Sequence, residues 1–139
     1  AYDVLWKYTH MTEYAELRER KFPISLWITF GNPLGETGVA NNLMDGRYAN
    51  ENDKYPRKQV KQWRNIYAQD DYIAHVERIG PIYRHLTPAD LHEITDKKIH
   101  NCWTYEDASS GKLTSNPHDL YGYLMHDELA GHVGAWLAS

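Results

Sequence analysis

The sequence predicts an α/β domain with a mostly parallel sheet of about three strands, and three observations carry that reading. Runs rich in β-branched and aromatic residues, such as Ile24-Ser25-Leu26-Trp27-Ile28-Thr29-Phe30, alternate with stretches bearing helix and turn signals. These strand-like runs lie too far apart for tight hairpins, so their connections cross over and imply βαβ units. Helical periodicity opens and closes the chain, which places helices on the flanks of the sheet. At 139 residues the chain suits one domain, residues 1–139, without an internal repeat or a convincing linker.

Val4, Leu5, Tyr8, Met11 and Ala15 recur at three- and four-residue steps and predict an amphipathic helix running to about Arg20. Neither a cap nor an initiator methionine precedes that helix, so the domain is expected to be incomplete at its N-terminus. Pro23 ends the helical region, Ile24 to Phe30 forms a buried strand, and Gly31-Asn32-Pro33-Leu34-Gly35 stops it with turn residues. Val39 to Met44 reads as a short helix and Asp45 to Pro56 as a polar loop. Trp63 to Tyr67 is a second strand, ended by Gln69-Asp70-Asp71. Ile73 to Ile79 reads as a helical turn broken by Gly80-Pro81. Thr87-Pro88-Ala89-Asp90 has the form of a cap, opening a short helix through Leu91 and Ile94. Lys98 to Tyr105 alternates like a third strand, with Cys102 as a small buried hydrophobe inside it. Ser109 to Pro117 is a loop, and Leu120, Leu124, Leu129, Val133 and Leu137 space out one closing helix from Asp119 to Leu137.

Composition narrows the function classes. Hydrophobic residues at 42% and charged residues at 24% exclude wholesale disorder. Fifteen basic against nineteen acidic side chains give a net charge of −4, no footprint for a phosphate backbone, so no nucleic-acid partner is expected. No apolar run approaches the roughly 20 residues of a membrane span, so no transmembrane segment is expected. The single cysteine cannot form an internal disulfide and points to a reducing, cytoplasmic setting. His85 and His92, like His126 and His132, are not spaced as the i, i+4 pair of a zinc helix, and no metal or other cofactor is expected. Gly31 and Gly35 are too sparse for a phosphate loop.

Ligands of open α/β sheets bind at the carboxyl ends of the strands. Three such ends are the Gly31-Asn32-Pro33-Leu34 turn, Asp70-Asp71, and the loop carrying His118. An acid after one strand and a histidine after the next is the chain order of α/β-hydrolase triads, in which the carboxylate orients the imidazole that takes a serine proton. Asp70-Asp71 fits a polar strand-end turn as well, and His118 after Pro117 fits the neighbour of a helix cap.

The residues around these positions resemble a family. Leu26-Trp27-Ile28-Thr29-Phe30-Gly31-Asn32-Pro33-Leu34-Gly35 resembles the TxGSPLG strand and loop of bacterial α/β-hydrolases related to lipases and serine esterases. Trp63 to Ala74 is similar to their WxNxYxxxDxVA segment, which carries the triad acid. Asn116-Pro117-His118-Asp119-Leu120-Tyr121-Gly122-Tyr123-Leu124 is similar to their histidine loop and the helix after it, and Ala1 to Leu5 resembles the helix that follows the nucleophile elbow. The resemblance covers essentially the whole chain as the C-terminal part of such a fold. It implies Asp71 as triad acid with Asp70 as the competing residue, His118 as general base, and Asn32, Pro33 and Leu34 bordering the acyl pocket of a small ester substrate. The family's Gly-x-Ser-x-Gly elbow is not among the 139 residues, so the chain alone is expected to be inactive. The implied partner is the N-terminal half of the same hydrolase, or a second copy, seated along the Ile24–Phe30 edge and against Val4, Leu5 and Tyr8. The competing expectation is a non-catalytic binding or scaffolding module that keeps the fold.

Overall fold

A computed structural model describes residues 2–19, 24–43, 60–76, 78–84 and 93–139. Helix α1 (Tyr2–His10) leads through a single 3-10 turn (Thr12–Tyr14) into α2 (Ala15–Glu19). Strand β1 (Ile24–Phe30) precedes the short helix α3 (Thr37–Ala40). Strand β2 (Val60–Ala68), helix α4 (Gly80–Arg84) and strand β3 (Glu93–Ile99) follow. Two short strands, β4 (Thr104–Glu106) and β5 (Leu113–Ser115), form a hairpin before the closing helices α5 (Leu120–Leu124) and α6 (Asp127–Leu137).

The principal sheet has order β1-β2-β3 and both pairings are parallel, with Trp27 opposite Trp63 and Trp63 opposite Ile94. The chain is therefore of the α/β class expected. Central β2 is the most buried strand, and its Trp63 is wholly inaccessible. One face of the sheet packs on α1 and α4: Tyr2 meets Trp27 and Tyr83, Trp27 stacks on Trp63 at 4.5 Å between ring centroids, and Ile79 and Ile94 complete the cluster. Tilted and offset rings of this kind add attraction beyond the area they bury. The opposite face packs on α5 and α6, where Ile66, Ala68 and Ile99 meet Tyr123 and Leu129, and Lys97 pairs with Glu128 at 2.7 Å. Helices thus cover both faces, as a parallel sheet requires.

Several expected elements are corrected. The first helix is interrupted at Met11, whose backbone is extended, and Arg18 Nη1 donates to the carbonyls of Tyr8 and Met11 at 2.6 and 2.7 Å. Residues 73–76 and 78–79 are not helical, and Gly80-Pro81 opens a helix rather than breaking one. The cause is tertiary: the Asp96 carboxylate on β3 accepts from the backbone N–H groups of Ile79 (2.9 Å) and Gly80 (2.8 Å), the groups a helix start leaves unpaired. Pro81 in the first turn lacks only an N–H that would be orphaned anyway. The third strand lies at Glu93–Ile99, earlier than expected, so Ile94 is in a strand and not in a helix. Thr104 to Glu106 pairs antiparallel with Leu113 to Ser115, within the stretch read as a loop. Cys102 lies between β3 and β4 and is exposed, not buried in a strand. The closing helix is two helices, because His126 adopts extended backbone and its Nδ1 accepts the Glu128 N–H as a cap. The loop expected over 45–56, the cap over 87–90, Arg20, Pro23, Met44, His85, Leu91 and His92 lie outside the described residues.

Among the described strands β1 pairs only with β2, and all seven of its residues are half-buried. Val4 is 65% exposed, Leu5 packs against the Trp63 cluster, and the Tyr8 hydroxyl donates to the Leu17 carbonyl. No helix among the described residues is long and apolar enough to cross a membrane.

Candidate active site

Parallel pairing brings the ends of β1, β2 and β3 to one edge, and the residues after those ends meet there. After β2, Asp71 N–H donates to the Ala68 carbonyl, and the Asp71 side chain folds back so that Oδ1 accepts from the N–H groups of Ile73 (2.9 Å) and Ala74 (3.3 Å). This Asx turn is written locally, in an aspartate followed by a short irregular stretch. It fixes a carboxylate that has no solvent exposure at all.

His118 arrives from the other direction. Beyond β3, buried Asn101 donates from Nδ2 to the carbonyls of Pro117 (2.9 Å) and Asp119 (3.0 Å) and accepts the Trp103 N–H at 3.0 Å. One side chain therefore grips the backbone on both sides of His118. Asn101 sits so close to Gly122 that any Cβ there collides with it. His118 Nδ1 lies 2.9 Å from Asp71 Oδ2 and 3.0 Å from Oδ1, while the imidazole side chain is 40% exposed. An ionised carboxylate only accepts, so Nδ1 is the donor in this pair, and in the neutral ring that leaves the lone pair on Nε2. Asp70 is exposed and makes no hydrogen bond to His118 among the described residues; Asp71 makes the contact.

Asn32, Pro33 and Leu34 lie on the same edge but line a different hollow. Together with Tyr2, Trp27 and Phe30 they border a cavity of about 410 Å³ whose lining includes neither Asp71 nor His118. Their turn is held by a polar chain across the sheet. Asn32 Nδ2 donates to Asn65 Oδ1 at 2.6 Å, Thr29 Oγ1 donates to the same oxygen at 3.0 Å, and Asn65 Nδ2 donates to Asp96 Oδ1 at 3.0 Å. Leu34 N–H donates to Asn32 Oδ1, and the Leu34 carbonyl accepts the Tyr83 hydroxyl at 2.9 Å. Each such bond contributes about 1 kcal/mol net, whereas a buried donor left unmade costs about 1–3 kcal/mol. The link between this turn and the acid is Gly31, at φ +43°, where a Cβ would collide with Asp71 Oδ2.

The sequence assigns no site role to Asn101 or Tyr123, and Gly31 enters it only as a turn residue. Tyr123 is 1% exposed, and its hydroxyl donates to Asp71 Oδ2 at 2.6 Å while accepting the Ala68 N–H at 2.9 Å. Burial, and then the bond to Asp71, push its phenol above the ordinary tyrosine value, offset in part by the Ala68 N–H. Its only sequence signal is a buried-face aromatic soon after a histidine. Among the described residues no group of three or more His, Cys, Asp or Glu side chains is placed to hold a metal ion. No family model matches the chain, and no curated protein or solved structure matches it either.

Proposed function

We propose that this chain supplies the acid and the histidine of a serine-hydrolase triad, on the C-terminal part of an α/β-hydrolase fold, for esterase- or lipase-like cleavage of a carboxylic ester. The observation that carries the reading is the Asp71–His118 bond of 2.9 Å, between an acid just after β2 and a histidine that follows β3 and the β4–β5 hairpin, in the order acid then histidine. Asp71 holds the Nδ1–H tautomer, so Nε2 accepts the proton of a serine hydroxyl as its oxygen attacks the ester carbonyl. The same Nε2–H then protonates the departing alkoxide, and water repeats the sequence to free the acid. Partial exposure of His118 beside a buried acid suits a group that must meet both serine and substrate.

The serine in this proposal comes from outside the 139 residues, which contain no Gly-x-Ser-x-Gly. The N-terminal half of the same hydrolase is its source, seated along β1 and beside α1, where the cavity bordered by Asn32, Pro33 and Leu34 would take the acyl group. The exposed thiol of Cys102 fits a reducing, cytoplasmic setting. The competing reading is a non-catalytic binding module that retains the fold.

A fluorophosphonate probe separates the two. The 139-residue chain is expected to remain unlabelled, while polypeptide that includes the elbow serine labels, and His118→Ala there lowers turnover about 10³-fold or more. Turnover unchanged by His118→Ala sinks the catalytic role, and stoichiometric labelling of a serine in the 139-residue chain overturns the assignment of the nucleophile.

A further inference from the structure

The buried carboxylate of Asp71 receives one partner that the acid–histidine pair does not explain. Tyr123 lies on α5, five residues after His118, and its ring is held in the core against Phe30 at 5.8 Å between centroids. Its hydroxyl enters the acid's site, donates to Oδ2 at 2.6 Å and accepts from Ala68 N–H at the end of β2. The two oxygens of Asp71 are therefore tied down by different means. Oδ1 is held by the local amides of Ile73 and Ala74, and Oδ2 by a side chain from the helix that follows the histidine. Gly31 keeps that seat open: a Cβ there would lie 2.8 Å from the Tyr123 oxygen as well as colliding with Asp71 Oδ2.

We propose that Tyr123 is a positioning residue for the triad, its hydroxyl clamping the Asp71 carboxylate in the plane that faces His118 Nδ1. The assignment rests on the hydrolase reading for its consequence, since a clamped acid fixes the histidine tautomer the reaction needs. Its physical content is independent of any nucleophile. Without Tyr123 the carboxylate keeps the Ile73 and Ala74 amides on Oδ1, but Oδ2 loses the one bond that holds it independently of His118 and gains freedom to tilt. A tilting carboxylate holds the Nδ1–H tautomer less strongly, and a histidine without such a partner is free to place its proton on Nε2. The Tyr123 bond has the short length of a charge-assisted O–H···O⁻ contact.

Long-range ¹H–¹⁵N correlation of the His118 ring in the 139-residue chain reads the tautomer ratio directly, at a pH where the ring is neutral. The wild-type chain is expected to show chiefly Nδ1–H. Tyr123→Phe keeps the ring and removes the clamp, and the ratio of Nδ1–H to Nε2–H is expected to fall several-fold, by at most about tenfold, because only the coupling between the Tyr123 and His118 bonds to Asp71 enters the ratio. Phe30→Leu loosens the packing of the same ring without touching the hydroxyl, and should leave the ratio unchanged. A ratio that Tyr123→Phe does not move, or that Phe30→Leu moves equally, overturns the proposal. Should the phenylalanine variant fail to fold, 4-aminophenylalanine at position 123 restores an N–H donor in the same seat. A wild-type ratio then supports the clamp, and a fallen ratio in a folded chain overturns it. Failure here with Nδ1–H still dominant leaves the triad reading intact, whereas an absent fluorophosphonate label on elbow-containing polypeptide strikes that reading and not the clamp.

Discussion

Two aspartates in this molecule close the same local turn and end up in different circumstances. Asp71 Oδ1 accepts the N–H groups two and three residues ahead, at Ile73 and Ala74, and Asp107 Oδ1 does the same with Ser109 (3.0 Å) and Ser110 (2.8 Å). Each turn also has a glycine at positive φ beside it, Gly31 at +43° and Gly111 at +63°. The difference lies in the remaining partners. Asp107 takes them from the hydroxyls of the same two serines, at 2.5 and 2.9 Å, in the surface turn between β4 and β5. Asp71 takes them from His118 and Tyr123, 47 and 52 residues away, around a carboxylate that is itself closed to solvent. A turn closed by its own neighbours organises a loop. A turn whose acceptor is borrowed by two other segments organises a site.

That contrast is sharpest in stability. Asp71→Ala leaves the Tyr123 hydroxyl, two backbone amides and His118 without their acceptor, and should cost about 3 kcal/mol or more. Asp107→Ala removes an acceptor whose donors all reach water, and should lower the urea midpoint far less than Asp71→Ala does. Equal midpoints for the two variants would erase the distinction between site and loop.

The glycines give a smaller and more selective version of the same test. Alanine at either position carries the left-handed penalty of about 1–2 kcal/mol. Gly111→Ala meets nothing closer than Glu106 Oε1 at 3.9 Å, so it should carry that penalty alone. Gly31→Ala must also displace Asp71 Oδ2 or the Tyr123 hydroxyl, and should cost about 2 kcal/mol more. It should also shift the His118 ring resonances, which Gly111→Ala leaves in place. A Gly31→Ala chain as stable as Gly111→Ala, with unmoved His118 signals, would show that the approach of β1 to the acid is slack.

How much of this was legible in the sequence follows the same division between local and borrowed partners. Strands β1 and β2 were readable because Ile24 to Phe30 and Trp63 to Tyr67 carry the β-branched and aromatic residues of a pleated, buried surface. The Asp71 contact to His118 was also anticipated, from chain order and residue context. Strand β3 was misplaced because Asp96 and Lys97 do not look like part of a strand. Asp96 is satisfied by Asn65 and by the start of α4, and Lys97 by Glu128, partners that no local window contains. The alternation of Lys98 to Tyr105 then drew the strand too late, onto residues whose last part pairs in a hairpin. Tyr123 was read as part of a helix, which it is; that its hydroxyl reaches Asp71 depends on how α5 packs on β2.

The mildest test of the comparison is acid. The side-chain and backbone bonds from Ser109 and Ser110 hold the Asp107 carboxyl down from 3.8 to about 2, with the Ser109 hydroxyl the largest cause. A carboxyl whose value is depressed in the folded turn contributes order above its unfolded value and loses that contribution as pH falls through the folded one. The turn between β4 and β5 should therefore be unchanged from neutral pH to about 4 and loosen between about 4 and 2, as protonation weakens the acceptor. The amide resonances of Ser109, Ser110 and Gly111 report this directly, since the first two donate to Asp107 Oδ1 and the third to its carbonyl at 2.8 Å. Asp107→Asn keeps the shape of the acceptor and removes its charge, so the same resonances should lose their transition in that window. Persistence of the transition in Asp107→Asn would assign it to another group and leave the two aspartate turns less different than their partners suggest.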